Sequence, residues 1–346
     1  MQKTATKIMR AGVATAVFAG LVFAVSASAQ AEKVVWNFNM FGPKRAVTAG
    51  LEKMKVDLEA AGKGQFELKI NYGDALGPHK QNPENIKAGA FEAGQLCVGY
   101  YPNRFPLLSV MELPFLPPAD LQERAKVEMA VMNNPLIVKE LADRWNMKFF
   151  GPTFLPPYEF MGNKRIKSVD DMKGVKMRIS GLNAKVLHEF GAVPTMVTAP
   201  EGYNALDRGT IDSFGFPYAY AFGAYKLYEV SKYVTEGIRM NGFMCFQGVN
   251  LDAWNKTPEA VKQAMPAAQQ DAIEAMIAAY EAADAKWIPI FKQKLKVDEF
   301  PASERAKLVE GASSVWEQWV KDQEDAGRPG RQMLDFVKAQ VKKYSH

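Results

Sequence analysis

Two rhythms alternate along the chain. Val34-Val35-Trp36-Asn37-Phe38-Asn39 reads as a strand, and a helical pattern follows from about Arg45 to Ala61, closed by Gly62. Phe66 to Tyr72 alternates as a strand does, Pro83 to Ala88 as a short helix, and Gln95 to Tyr100 as another strand. A long helical stretch from Ala119 to Trp145, interrupted near Asn133-Asn134-Pro135, leads to a strand at Met147–Phe150. Pro152, Pro156 and Pro157 mark a change of direction and a first crossing between domains. A second set then predicts strands at 175–179, 193–197 and 211–214, with helices at 183–190 and 200–207 between them. The return crossing falls near Arg239 to Phe243, and Phe243 to Leu251 is apolar enough for a central strand. Pro258 to Leu295 is one long helix with Val261, Met265, Ala272, Met276, Tyr280 and Ile288 on one side, long enough to bridge both domains. A short strand at 297–300 and helices from Ser303 to Ser345, broken at Gly327–Gly330, finish the chain. The pattern is α/β, and a chain that leaves one domain, builds another and returns has hinges suited to closing on a ligand.

Composition narrows the class. The 346 residues, 48% hydrophobic and 23% charged, suit roughly two domains. Lys3, Lys7 and Arg10 precede an uncharged apolar run, Ala11 to Val25, and Ala27-Ser28-Ala29 supplies small residues for cleavage. Residues 1–29 therefore read as a secretory signal peptide, removed after Ala29 or Ala31, which makes the chain periplasmic. Those three basic residues account for three of the five net positive charges, and the near-neutral remainder gives no footprint for nucleic acid. Cys97 and Cys245 both lie in apolar, strand-like runs. Export permits a disulfide, but spacing cannot place the sulfurs within reach, and two buried free thiols are the favoured expectation.

Catalytic signatures are missing. His79, His188 and His346 have no metal-ligand spacing, and the chain has no nucleophile elbow, phosphate loop or dinucleotide fingerprint. No metal, no cofactor and no catalytic residue is expected. His79 reads as a plain loop histidine, with a ligand contact as the alternative. A secreted enzyme working through carboxylates, or a ligand-sensing module for a receptor, stands as the alternative.

One cation draws attention. Val175, Met177 and Ile179 alternate with Lys176 and Arg178, which puts Arg178 on the polar face, where spacing alone expects a solvated side chain. The sequence around it carries an ordered set of motifs: Lys173-Gly174-Val175-Lys176-Met177-Arg178, Gly191-Ala192-Val193-Pro194, Glu201-Gly202-Tyr203-Asn204-Ala205-Leu206 and Gly209-Thr210-Ile211-Asp212-Ser213, with Leu76-Gly77, Gly94 and Glu112–Leu116 upstream. Over essentially the whole exported chain this resembles the extracytoplasmic substrate-binding proteins of tripartite ATP-independent periplasmic (TRAP) transporters, of the dicarboxylate-binding type. The resemblance implies a two-lobed periplasmic-binding-protein fold, with hinge crossovers, a ligand cleft and a long helix bridging both lobes. Lobe I takes residues 32–155 and 242–281; lobe II takes 156–241 and 282–346 with the C-terminal helices. It also implies a small and a large membrane subunit as partners and a ligand carboxylate clamped by Arg178; the receptor itself is expected to be a monomer.

The departures from that family pattern are informative. A second Arg, twenty residues before the first in many members, is replaced by Tyr158; an Asn after the Gly-x-x-Asp segment has become Phe216; a Phe before the Glu-x-Tyr segment is Ala199. Ring surface has replaced a cation and a polar contact. The cleft then suits an organic acid with a single carboxylate and keto, hydroxy or aromatic character, with Tyr100, Tyr101 and Phe41 as further aromatic contacts and Asn39 or Asn103 reaching a ligand oxygen. Tyr218, Tyr220, Phe222, Tyr225 and Tyr228 read as packing. Lys44, Arg45 or Arg104 could supply a replacement cation.

Overall fold

The computed structural model describes residues 32–101, 103–179 and 181–345; the expected signal peptide lies outside the described residues. The strands are β1 (Val34–Asn39), β2 (Phe66–Asn71), β3 (Ala93–Cys97), β4 (Met147–Thr153), β5 (Tyr158–Gly162), β6 (Lys176–Arg178), β7 (Val193–Pro194), β8 (Ser213–Pro217), β9 (Tyr233–Met240), β10 (Cys245–Asn250) and β11 (Lys296–Glu299). They form two sheets, one ordered β2-β1-β3-β10-β4 and the other β11-β9-β5-β8-β6-β7. In the first sheet β1 runs parallel to β2 and β3, and the returning β10 lies antiparallel between β3 and β4. In the second, β5 is antiparallel to β8 and β9, while β6 is parallel to β7 and β8. The chain passes between the sheets three times: from β4 to β5, from β9 to β10, and into β11. This is the α/β, two-lobed architecture with hinge crossovers.

The helices are α1 (Ala49–Gly62), α2 (Asn82–Ala88), α3 (Leu121–Met132), α4 (Pro135–Trp145), α5 (Asn183–Glu189), α6 (Gly202–Asp207), α7 (Tyr220–Ala224), α8 (Leu251–Asn255), α9 (Glu259–Lys294), α10 (Ala302–Asp325) and α11 (Gly330–Tyr344). Leu51, Met54 and Leu58 recur at helical spacing and bury one face of α1. The core beside them centres on Trp36, whose ring lies 5.1 Å from Phe66 and 5.2 Å from Phe150, both edge-on. Val261, Met265, Ala268 and Ala272 from the first half of α9 join that core. The second half serves the other sheet: Phe291 meets the Tyr218 ring at 5.9 Å, and the Trp287 indole fills the space left by Gly223. The long helix bridges both sheets, as its length predicts.

Three local readings need correction. Tyr158–Gly162 and Tyr233–Met240 are strands that the proline run and the mixed polarity of the second segment conceal. The strand predicted to Tyr100 ends at Cys97, and Val98–Tyr100 forms a single 3₁₀ turn that lifts Tyr100 out of the sheet. The cysteines are not free thiols. Cys245 is the register partner of Cys97 across β10 and β3, and the two form a disulfide. The pairing of two strands far apart in sequence brings the sulfurs together, which spacing could not reveal.

Candidate functional site

Arg178 ends β6, a three-residue strand running parallel to β8 with Arg178 opposite Phe214. It is 0% exposed. The polar face expected from alternation does not meet water; it meets the Tyr100 turn of the first sheet. The side chain is held from three directions: Nε donates to Val197 O at 2.9 Å, Nη1 to Gly215 O at 3.0 Å and Nη2 to Tyr100 Oη at 3.3 Å. The rings of Phe214, Phe216 and Phe243 stand 4.6, 5.1 and 5.4 Å from its guanidinium carbon. No carboxylate among the described residues pairs with it. A guanidinium has five N–H donors; three are used, and one remains on each η nitrogen. A buried cation without a counter-charge costs several kcal/mol, which three hydrogen bonds and three ring faces offset only in part.

A small cavity walled mainly by rings lies against this group. The first sheet and its turns contribute Phe41, Arg45, Gln95 and Tyr100; the second contributes Tyr158, Phe216 and Tyr225; Phe243 comes from the return crossing. Arg178 stands just behind that lining, touching the cavity side through Tyr100, Phe216 and Phe243. The disulfide and the hydrogen bond from Thr153 Oγ1 to Gln95 Oε1 (3.1 Å) also border the cavity. Burial pushes the Tyr158 hydroxyl up to about 12, with the Arg178 charge pulling against it, so it stays protonated; it accepts from Phe243 N at 3.4 Å.

Of the residues expected at the site, Phe41, Tyr100, Tyr158 and Phe216 line the cavity and Arg178 adjoins it. Asn39 and Tyr101 do not line it. Asn39 is fully buried and spends its side chain on Gly77 O, Asn82 Oδ1 and Leu76 N, clamping the loop after β2. Tyr101 points away, donating to His79 O at 2.7 Å and packing 5.8 Å from Phe105. Arg45 lines the cavity; Lys44 and Arg104 pair with Glu52 and Glu84 instead. His79 does not line the cavity but stands behind it: it is 7% exposed, and its ring lies 5.0 Å from Phe41 and 5.3 Å from Tyr100. Tyr225, Tyr220 and Phe243 were not expected here. Their spacing carries no mark of a site, because each arrives through a turn or crossing whose direction only the tertiary fold sets.

Residues 39–323 match the family described as bacterial extracellular solute-binding protein, family 7 (DctP). The chain belongs to this family, that of the TRAP-transporter receptors. A monocarboxylate 2-oxoacid-binding periplasmic protein of Nostoc sp. is 26% identical over 317 residues, 85% of each chain. Among solved structures, a marine metagenome TRAP solute-binding protein specific for aromatic acids, crystallised with 3-hydroxybenzoate, superposes with a TM-score of 0.80 at 21% identity, covering 91% of this chain and 100% of that one. A Rhodoferax ferrireducens TRAP solute-binding protein with copurified benzoate gives a TM-score of 0.79 at 23% identity, covering 90% of this chain and 99% of that one.

Proposed function

We propose that this chain is the exported receptor of a TRAP transporter for an organic acid with one essential carboxylate and an aromatic or keto-bearing body. Arg178 takes the carboxylate through its two unused η N–H groups, and the rings of Phe41, Tyr100, Tyr158 and Phe216 receive the body. The observation that carries this reading is the Arg178 guanidinium: fully buried, with no carboxylate partner among the described residues, and set against a ring-lined cavity. A ligand carboxylate supplies the missing counter-charge and a bidentate partner. The 2-oxoacid, benzoate and 3-hydroxybenzoate ligands of the relatives belong to this chemical class. The two sheets act as lobes, residues 32–155 with 242–281 and 156–241 with 282–346, that close over the acid. Closure follows from tighter binding to the closed state. The receptor acts as a periplasmic monomer after its signal peptide is removed, performs no catalysis, and hands its ligand to a small and a large membrane subunit.

Calorimetry with pyruvate, benzoate and succinate tests the ligand class. Benzoate or pyruvate is expected to bind, and succinate to bind far more weakly. Arg178→Lys keeps a charge but loses the planar fork, and affinity is expected to fall by about 100-fold or more. Near-normal affinity in that variant, with a native circular dichroism spectrum, overturns the role of Arg178.

A further inference from the structure

The cavity has a second polar end. Arg45, from the turn after β1, and Tyr225, just past α7, both line it. The Arg45 guanidinium carbon stands 5.0 Å from the Phe41 ring and 5.7 Å from the Tyr225 ring. Its Nη1 donates to Phe41 O at 2.9 Å and Pro43 O at 2.7 Å, while Nε and Nη2 make no side-chain hydrogen bond among the described residues. Tyr225 Oη is buried and has no hydrogen-bond partner among the described residues. It rests over Gly42, where a Cβ would lie 2.5 Å from the oxygen, so the hydroxyl reaches across from the second sheet to the first. A buried hydroxyl without a partner is unfavourable, and in a ligand cavity it is satisfied by a polar atom of the ligand or by a water the ligand displaces.

Rings separate this end from Arg178. Phe216 lies 5.1 Å from the Arg178 guanidinium and 5.6 Å from the Tyr225 ring; Tyr100 bonds Arg178 and lies 5.9 Å from Phe41. An aromatic acid held at Arg178 lies along these rings and brings its far edge to Tyr225. The charge at the two ends differs. Arg178 pairs with no carboxylate among the described residues, whereas a carboxylate stands near the Arg45 end: Asp74 N donates to Met40 O at 3.2 Å, and Gly73 N to Gly42 O at 3.1 Å. Asp74 holds His79 Nδ1 at 2.8 Å through Oδ2, and its Oδ1 is buried without a hydrogen bond. A second carboxylate at this end would come near the Asp74 charge and be repelled by it. Burial raises the Tyr225 hydroxyl, which keeps its proton and can both donate and accept.

Resting on the reading that an aromatic carboxylate sits at Arg178, we infer that Tyr225 Oη and the free donors of Arg45 read an uncharged oxygen, hydroxyl or carbonyl, on the far edge of the ligand ring. The preferred ligand is then a hydroxy- or oxo-substituted aromatic acid, neither a bare one nor an aromatic dicarboxylate.

Calorimetry of the purified protein with benzoate, 3- and 4-hydroxybenzoate and benzene-1,3-dicarboxylate tests this. The better hydroxybenzoate is expected to bind about 3–10-fold tighter than benzoate, the worth of one added hydrogen bond, and the dicarboxylate more weakly than either hydroxy acid. In Tyr225→Phe the ratio of the benzoate to the hydroxybenzoate Kd is expected to collapse to within about twofold. Arg45→Met, which leaves Tyr225 in place, is expected to reduce the same ratio and covers the case in which the first variant does not fold. Benzoate binding with no hydroxyl preference, a preference that survives in both variants, or a tighter dicarboxylate overturns the inference and leaves Arg178 as the carboxylate anchor. Binding of none of the aromatic acids removes the aromatic reading and this inference together.

Discussion

Tyr100 Oη accepts two hydrogen bonds from the second sheet, one from Arg178 Nη2 and one from Ala199 N, each 3.3 Å long. Tyr100 itself stands on the turn after β3 of the first sheet. One hydroxyl therefore ties the two sheets at the edge of the cavity, and both acceptances leave its own proton free to donate. Tyr100→Phe removes a brace on the guanidinium and a donor for the ligand carboxylate. Affinity for benzoate or pyruvate should fall by about 3–10-fold, the effect of one net hydrogen bond, with little change in thermal stability. Calorimetry on the variant measures this, and tighter binding would mean that the hydroxyl competes with the ligand for Arg178.

Phe216 stands where the family pattern has a polar residue. Its ring covers Arg178 and meets Tyr158 at 6.3 Å and Tyr225 at 5.6 Å. Phe216→Asn removes ring area from the wall and adds an amide. Aromatic acids should lose affinity by about tenfold, on the scale of one aromatic pair, and pyruvate by less. A fluorescence titration of both ligands reads the difference. Equal losses would mean that Phe216 supports Arg178 alone and takes no part in selection.

The sequence carried much of this site, unevenly. Arg178 was legible because a whole ordered set of motifs surrounds it, although strand alternation alone assigned it to solvent. Alternation reports the opposite face of a strand without saying what covers that face, and here it is the Tyr100 turn. Tyr158 and Phe216 were legible as departures from a pattern. Asn39 and Tyr101 look the same in sequence as true lining residues; only the positions of Gly77, Asn82 and His79 show that their polar atoms are already taken. Tyr225 and Phe243 reach the cavity through a turn and a crossing, and no periodicity encodes that direction.

The Cys97–Cys245 disulfide ties strands separated by 148 residues, and both cysteines border the cavity. Loop closure of that length restricts the unfolded chain, and removing such a bridge costs about 2–5 kcal/mol. The double variant Cys97→Ala, Cys245→Ala should unfold at a lower urea concentration than the wild type, and reduced wild type should match it. The same midpoint with and without reductant would show that the bridge contributes nothing to stability.

Glu112 gives the stability a pH dependence whose sign can be worked out. Its carboxyl lies inside the crossing region: Met244 N donates to Oε1 at 3.2 Å, and a Cβ on Gly181 would stand 2.5 Å from Oε2. Burial raises it from an ordinary 4.5 to about 8, against the pull of backbone N–H groups of Met244 and Gly99 and the charge of Arg124. The folded protein thus holds a proton that the unfolded chain has released. Between the two values the unfolded state binds fewer protons, so stability is greatest below about 4.5 and declines as pH rises through about 8. Buried Glu128 and Glu159, each raised to about 7 by desolvation, act in the same direction over a narrower window. Urea midpoints measured from about pH 4 to about pH 9, a range that brackets both values, should therefore fall. Glu112→Gln has no proton to lose, and its midpoint should fall less steeply; the part of the slope it removes is on the order of 5 kcal/mol over the full window. A Gln variant with the same slope as the wild type would place the alkaline loss at the other buried carboxyls.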